Sequence, residues 1–383
     1  MSGMRLPSVV ATLSFLLVAA APPPARAWSN KEHIQLTRIA AQRLLGSPQT
    51  PAAMKAWLKE ACPGLLTDAE EHDYFLRARV GLFPRGVEGL TYWATVPDMA
   101  ALTGGSGENE RKVEPFGVPE RMLHYVDLEY FVREENKRRY RHDLSDKPLL
   151  LDIPKSMSDD KWKRAGMLPF RVEQCYAQLV RSIRERRLVD RPGQFPRDEH
   201  ATKWAGFLAH YLEDNTQPQH ATEDYKSRAY FADKRKSPNV HWDVEGRLMD
   251  DEEADYPELR EEFWQIFSKD LETVTDPSAE TSDLRTATLE VLLASYDALP
   301  MIGLAAMKAY GQAGTPEQPE GPIGAFNAEA FFHFRGTYDG REMSVLEMKA
   351  HQMAWAERRV EALWRRAWDE AQRPAAPAQA EAP

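Results

Sequence analysis

This sequence predicts a mainly α-helical protein built as a single multi-helix domain, and three observations carry that expectation. Apolar residues recur at the i, i+3, i+4, i+7 spacing of helices through most of the chain. No run alternates apolar and polar residues for long enough to make a sheet of any size. No shift in composition or Gly/Pro-rich stretch divides the chain in two. At 383 residues and 43% hydrophobic content there is apolar surface for one large core, which excludes disorder as the main state.

Residues 1–27 stand apart from that pattern. Arg5 precedes an apolar run over 9–21, then come Pro22, Pro23 and Pro24, then Ala25-Arg26-Ala27. A charged start, a short apolar stretch and an A-x-A site describe a secretory signal, cleaved to leave Trp28 first. The run falls short of the roughly 20 apolar residues of a membrane span. The expected protein is therefore secreted or periplasmic, with no transmembrane anchor after cleavage.

From there the helices follow in order. Over 31–45, Ile34, Leu36, Ile39, Ala40, Leu44 and Leu45 recur at helical spacing, and a second helix begins at Pro51 and runs through 58. Residues 172–188 put Val172, Cys175, Leu179, Val180 and Ile183 on one stripe. Residues 202–214 place Trp204, Phe207, Leu208, Tyr211 and Leu212 on a core-facing side. Two long helices are expected at 284–310 and 343–371, with Leu, Met and Trp on their buried sides. Stretches 134–155, 225–238 and 311–327 read as irregular, and 250–255 as a solvated acidic face. The domain is expected over 28–372, followed by a disordered Ala/Pro-rich tail at 373–383.

Composition limits the chemistry. Cys62 and Cys175 are too few for a disulfide scaffold, a cysteine zinc finger or an iron–sulfur cluster, so any metal must be held by His and carboxylate. A net charge of −10 gives no overall field toward phosphate backbones, which argues against nucleic acid as an obligatory partner.

The histidines and acids supply the pattern. His210 and Asp214, four apart, project from one side of a helix beside the Phe207 edge of its apolar stripe, bordering the core without entering it. Gln217-Pro218 ends that helix and the chain turns to His220; His241 and Glu245 then repeat the four-residue spacing. One such pair reads as a solvent-facing ion pair. Two pairs with a histidine between them point to a metal cluster, and zinc takes imidazole and carboxylate ligands.

Three further elements extend the set. Trp28 is followed at five residues by His33; Asp98 closes Tyr92-Trp93-Ala94-Thr95-Val96-Pro97-Asp98; His124 lies in Leu123-His124-Tyr125-Val126-Asp127. Together these residues resemble the zinc-dependent phospholipase C and single-strand-specific nuclease superfamily, whose mature chains begin with a zinc-binding Trp. The matching set is Trp28, His33, Asp98, His124, His210, Asp214, His220, His241 and Glu245. The resemblance implies a mostly helical domain with three zinc ions at the bottom of a cleft. One zinc would be held by the amino nitrogen and carbonyl of Trp28, by His33 and by Asp214. The second would take Asp98, His124, His210 and the other oxygen of Asp214, and the third His220, His241 and Glu245. It further implies phosphodiester hydrolysis by water activated between two metals, with the third metal polarising a phosphoryl oxygen. Asp98 would also orient or deprotonate that water, and Tyr125 and Asp127 would line the substrate site.

Two branches divide the superfamily. The short Trp28 to His33 spacing resembles the nuclease branch. Glu245 in the last ligand position and residues 208–221 resemble the phospholipase branch, and the nucleases' phosphate-binding Arg, three residues after the Asp98 equivalent, is Ala101 here. The nucleases' disulfides are also missing. The expected function is an exported zinc-dependent phosphodiesterase of the phospholipase C kind, with a single-strand nuclease/3′-nucleotidase as the alternative. A non-catalytic zinc-binding module is disfavoured by the complete ligand set. The expected partners are phospholipid or single-stranded nucleic-acid substrates, with no obligatory protein partner. The stretch 127–169 is longer than either branch leads one to expect. The adjacent His72 and Asp73 lack the other ligands of a second phosphohydrolase class, and His142, His200, His333 and His351 read as packing or surface residues.

Overall fold

Ser29 opens the first helix, α1 (Asn30–Gly46), with a capping box: its hydroxyl accepts from the Glu32 N–H while the Glu32 carboxylate accepts from the Ser29 N–H. The computed structural model describes residues 28–62, 89–103, 110–131, 160–191, 199–250, 256–276, 281 and 283–374. Over these the protein is mainly helical with a few short strands. After α1 come α2 (Ala52–Ala61) and α3 (Leu90–Thr103), then a small hairpin of β1 (Lys112–Val113) and β2 (Val118–Pro119). Two 3-10 turns, Glu120–Leu123 and Leu128–Phe131, flank His124, Tyr125 and Asp127. Next are α4 (Asp160–Ala165), α5 (Leu168–Arg184) and α6 (Ala201–Asn215).

Helix α5 starts earlier than the 172–188 spacing suggests, because Pro169 fits a first helical turn, where its missing N–H has no partner to lose. It ends at Arg184, two residues before Arg186 takes a left-handed φ of 56°.

Helix α6 is the hub. It packs against α1, α3 and α5 and against two later helices, so every residue from 205 to 215 is buried. Spacing alone puts His210 and Asp214 at the border of the core; in the structure both are wholly inside it, at 0% exposure. A surface helix has one buried stripe, whereas this one is covered on all sides.

Beyond α6 the chain makes 3-10 turns at Pro218–Ala221 and Arg228–Tyr230, then α7 (Val240–Glu245) and α8 (Pro257–Thr273). The helix expected over 284–310 is two, α9 (Leu284–Tyr296) and α10 (Leu299–Ala309). Pro300 cannot donate to the Tyr296 carbonyl, so the helix breaks at Asp297-Ala298 and restarts with proline in its first turn. Among the described residues, Leu284–Ala309 is the one stretch long and apolar enough to cross a membrane, and most of it is buried inside the protein.

A hairpin of β3 (Ala313–Gly314) and β4 (Pro319–Glu320) lies in the irregular 311–327 region, followed by α11 (Ala328–Phe332). A third hairpin, β5 (Arg335–Tyr338) and β6 (Arg341–Ser344), turns through Asp339 and Gly340, both at positive φ. The last helix, α12 (Val345–Gln372), runs 28 residues from a Ser344/Glu347 capping box. Its first half packs in an apolar cluster with Trp28, α7, α8, α10 and α11, and its second half in a larger cluster around α5 and α6. There Trp364 is fully buried and donates to the Ala205 carbonyl at 3.1 Å. Truncating such a side chain costs about 3–5 kcal/mol.

Cys62 and Cys175 are separate buried thiols in the larger cluster. Residues 1–27, 132–159 and 375–383, and with them the signal segment, His142, most of the long stretch after Asp127 and most of the tail, lie outside the described residues, as do His72 and Asp73.

Candidate metal centre

Helices α3 and α6 meet closely at Gly206, where a Cβ would stand 2.5 Å from Trp93 Cβ and 2.8 Å from the Leu90 carbonyl oxygen. That approach brings Ala94 and Asp98 of α3 against His210. His210 Nδ1 lies 2.7 Å from the Ala94 carbonyl, which can only accept, so the ring carries its proton there and turns Nε2 inward. His220 is oriented the same way, its Nδ1 2.7 Å from the His124 carbonyl. His33, on α1, sets its Nδ1 2.5 Å from Glu213 Oε2, and Thr37 donates to the other oxygen of Glu213 at 3.2 Å.

These constraints converge on Asp214. Its Oδ1 is 3.5 Å from His33 Nε2, and its Oδ2 is 3.0 Å from His124 Nδ1 and 3.4 Å from His210 Nε2. Asp98 Oδ1 stands 3.7 Å from His124 Nδ1 and 3.9 Å from His210 Nε2. His124 and His210 face each other nitrogen to nitrogen at 3.1 Å.

A third group stands next to these. His241 and Glu245 project from one side of α7, with Glu245 Oε1 2.8 Å from His241 Nε2 and 3.4 Å from His220 Nε2. The rings of His220 and His241 stack at 5.2 Å. Gln217 donates to Glu245 Oε1 at 2.8 Å and accepts from the Gln219 N–H.

Among the described residues there are therefore three buried groups able to take a metal ion: His33, His210 and Asp214; Asp98, His124 and His210; His220, His241 and Glu245. In each, the ligand atoms lie within 4.8 Å of one another. His210 belongs to the first two groups, and Asp214 touches the histidines of both.

The residues fit a divalent cation on two further counts. His33 Nε2, His124 Nε2 and Asp214 Oδ1 are buried without a hydrogen-bond partner, whereas buried polar atoms are ordinarily paired. Burial also disfavours charge on most of these side chains. It pushes His33 down to about 3, with His220 adding to the effect, and holds His124, His210 and His241 well below the usual imidazole value. Burial likewise raises Asp214, Glu245 and Glu213 well above the usual carboxylate range. Imidazoles that resist protonation are ready ligands, and a cation would restore the carboxylates to their charged form.

The structure brings together all eight expected side-chain ligands. Trp28 is alongside: its ring is buried and its indole N–H donates to the Glu213 carbonyl at 2.8 Å, next to Asp214. Tyr125 and Asp127 are partly exposed beside His124. The Val126 N–H donates to the His220 carbonyl at 2.9 Å and the Asp127 N–H to the Ala165 carbonyl at 2.7 Å. Burial raises Tyr125 to about 12, and burial with Glu129 and Glu223 raises Asp127 to about 8.

Spacing missed the supports. Glu213, Gln217 and the buried pair of Lys349 and Glu32, 2.6 Å apart, touch ligands or their helices without following any ligand spacing. Their signal was charge in the wrong place: Glu213 and Lys349 fall on core-facing stretches of α6 and α12. Of the other histidines, His200 caps α6 by accepting from the Lys203 N–H, His333 sits exposed between Glu262 and Glu329, and His351 lies 3.5 Å from Asp270. In comparisons with known proteins, no family model and no curated protein matches this chain.

Proposed function

We propose that the protein is an exported zinc-dependent phosphodiesterase of the phospholipase C kind. One observation carries the reading: eight buried His, Asp and Glu side chains form three ligand groups, two of which share His210 and meet at Asp214. Zinc accepts the imidazole and carboxylate ligands of this donor set. When bound, it supplies Lewis acidity to phosphoryl oxygens and makes water acidic enough to attack near neutral pH.

The chain's own residues would do the rest. Glu213, the Ala94 carbonyl and the His124 carbonyl fix the rings of His33, His210 and His220. Asp98 would aim an attacking water by accepting a hydrogen bond from it. Tyr125, which keeps its phenolic proton up to about pH 12, donates to the substrate from the rim, with Asp127 beside it. The site lies almost wholly inside the protein, which keeps bulk water from competing for these contacts. Glu245 as the last ligand and Ala101 after Asp98 support a lipid substrate.

One observation favours the second reading, a single-strand nuclease/3′-nucleotidase. Beside α3 and α6 runs a cavity of about 550 Å³ lined by Trp93, Trp204 and Phe207, with Arg111, Lys112, Arg171 and Lys203 set among Glu110, Glu114 and Glu120. Aromatic faces with cations suit stacked bases and phosphates. Assaying the zinc-loaded protein side by side on phosphatidylcholine micelles and on single-stranded DNA separates the two. Hydrolysis of the lipid with little of the DNA supports the first reading, and the reverse ranking replaces it with the second.

A further inference from the structure

Behind the third ligand group lies a buried cation that ligation does not explain. Lys349, in the first turns of α12, is fully buried. Its Nζ donates to the Val244 carbonyl at 2.7 Å and the Glu245 carbonyl at 3.2 Å, at the C-terminal end of α7. It also stands 2.6 Å from Glu32 Oε1 and 4.5 Å from the centre of the Trp28 ring. The other Glu32 oxygen accepts from the Ser29 N–H at 3.0 Å, so the carboxylate is fixed at the start of α1. One ammonium group thus joins the segment holding Trp28 and His33 to the helix holding His241 and Glu245.

Helix α7 needs such a tie. At six residues it has too few internal hydrogen bonds to hold a direction by itself. Its terminal carbonyls have no partners within the helix and carry partial negative charge, which a cation satisfies on both counts. Glu245 is both a ligand through its side chain and, through its backbone carbonyl, an acceptor for Lys349. A shift of that carbonyl would move the carboxylate against His220.

We propose that Lys349 is a positioning residue: it holds α7 in the orientation that the third metal group requires, and makes that group depend on the docking of Glu32 and Trp28. The inference rests on the metal-centre reading but not on which substrate is cleaved.

The test measures zinc retention against a competing chelator, and the melting of the zinc-free chain, for wild type, Lys349→Met and Glu32→Gln. Lys349→Met is expected to release one zinc per chain about 10- to 100-fold more readily than wild type, the size typical of losing a support behind a ligand. Glu32→Gln should act in the same direction by a smaller factor. In a His241→Ala background, where the third group is already broken, Lys349→Met should add no further zinc loss. If Lys349→Met fails to fold, Glu32→Gln/Lys349→Met, which leaves no unpaired carboxylate, is judged by the same criterion. Zinc retention within about twofold of wild type in the Lys variants, even with lowered melting, would reduce Lys349 to a packing role and overturn the proposal. Wild type that binds no zinc would instead sink the metal-centre reading itself.

Discussion

Substituting Gly206 by alanine should disturb the metal centre from outside it. The added Cβ would stand 2.5 Å from Trp93 Cβ, 2.8 Å from the Leu90 oxygen and 2.9 Å from the Ala94 nitrogen. Carbon contacts settle at about 3.5 Å or more, and these neighbours are backbone or anchored directly to it, so α3 and α6 must separate by about 1 Å. Such overpacking costs about 1–3 kcal/mol. At roughly 2 °C per kcal/mol for a large domain, the melting temperature should fall by about 2–6 °C. Metal sites tolerate only about 0.2 Å in their ligand distances. The shift lengthens the His210 to Ala94 contact of 2.7 Å and carries Asp98 away from His210, so about one zinc per chain should be lost. Gly46→Ala is the control, because nothing lies within 4 Å of its new Cβ, and it should be neutral or stabilising by about 0.5–1 kcal/mol. Calorimetry and elemental analysis read both effects. A Gly206→Ala protein with unchanged zinc and a melting temperature within about 1 °C of wild type would refute the idea that this close approach sets Asp98.

Three other predictions probe separate parts of the protein. Asp214→Asn should lower zinc content more than His220→Ala, because Asp214 reaches the histidines of two groups and His220 serves one; equal losses would contradict a shared carboxylate. Protein extended by one residue before Trp28 should hold less zinc than protein that begins at Trp28, since an amide is a far poorer ligand than a free amine, whereas Trp28→Phe should lose mainly the indole bond to Glu213; full zinc in the extended form would rule Trp28 out as a ligand. Glu357→Gln tests a fully buried carboxyl on α12, 3.6 Å from Arg43 of α1. Burial, reinforced by Glu361, holds the Glu357 carboxyl well above its ordinary value of 4.5. The folded form therefore keeps a proton that the unfolded chain gives up, and stability falls as pH rises above about 4.5. The Gln variant lacks this loss, so it should melt higher than wild type at about pH 7 and little differently at about pH 4; the same difference at both would contradict a buried proton on Glu357.

Much of this fold is legible in periodicity, and the exceptions have identifiable causes. The stripe on α5 carries Val172, Cys175 and Leu179 to the core as spacing suggests, but Pro169 starts the helix sooner. The break between α9 and α10 is visible only when Pro300 is read as a stop rather than as one residue in an apolar run. The β5–β6 turn at Asp339-Gly340 is a short hairpin signal hidden among long helices. At the site, the i, i+4 pairs and the turn histidine were enough to gather the ligands, because a helix fixes which residues share a side. Depth was not legible: nothing local in α6 says that it is covered by five other helices and that His210 and Asp214 are wholly buried. The supports were not legible either, since Ala94 and His124 act through backbone carbonyls, and Lys349 meets Glu32 across 317 positions of sequence only when α12 folds back on α1.

Phosphodiester hydrolysis by this protein would depend on metal held in its three ligand groups. That dependence is tested most directly by stripping protein that begins at Trp28 with a chelator and titrating zinc back. Hydrolysis of a chromogenic phosphodiester is followed against zinc bound per chain. Activity should be absent from the stripped protein and reach its plateau as bound zinc approaches about three per chain, one for each ligand group. Turnover that persists in the zinc-free chain, or a chain that binds three zinc ions and hydrolyses no phosphodiester, would contradict it.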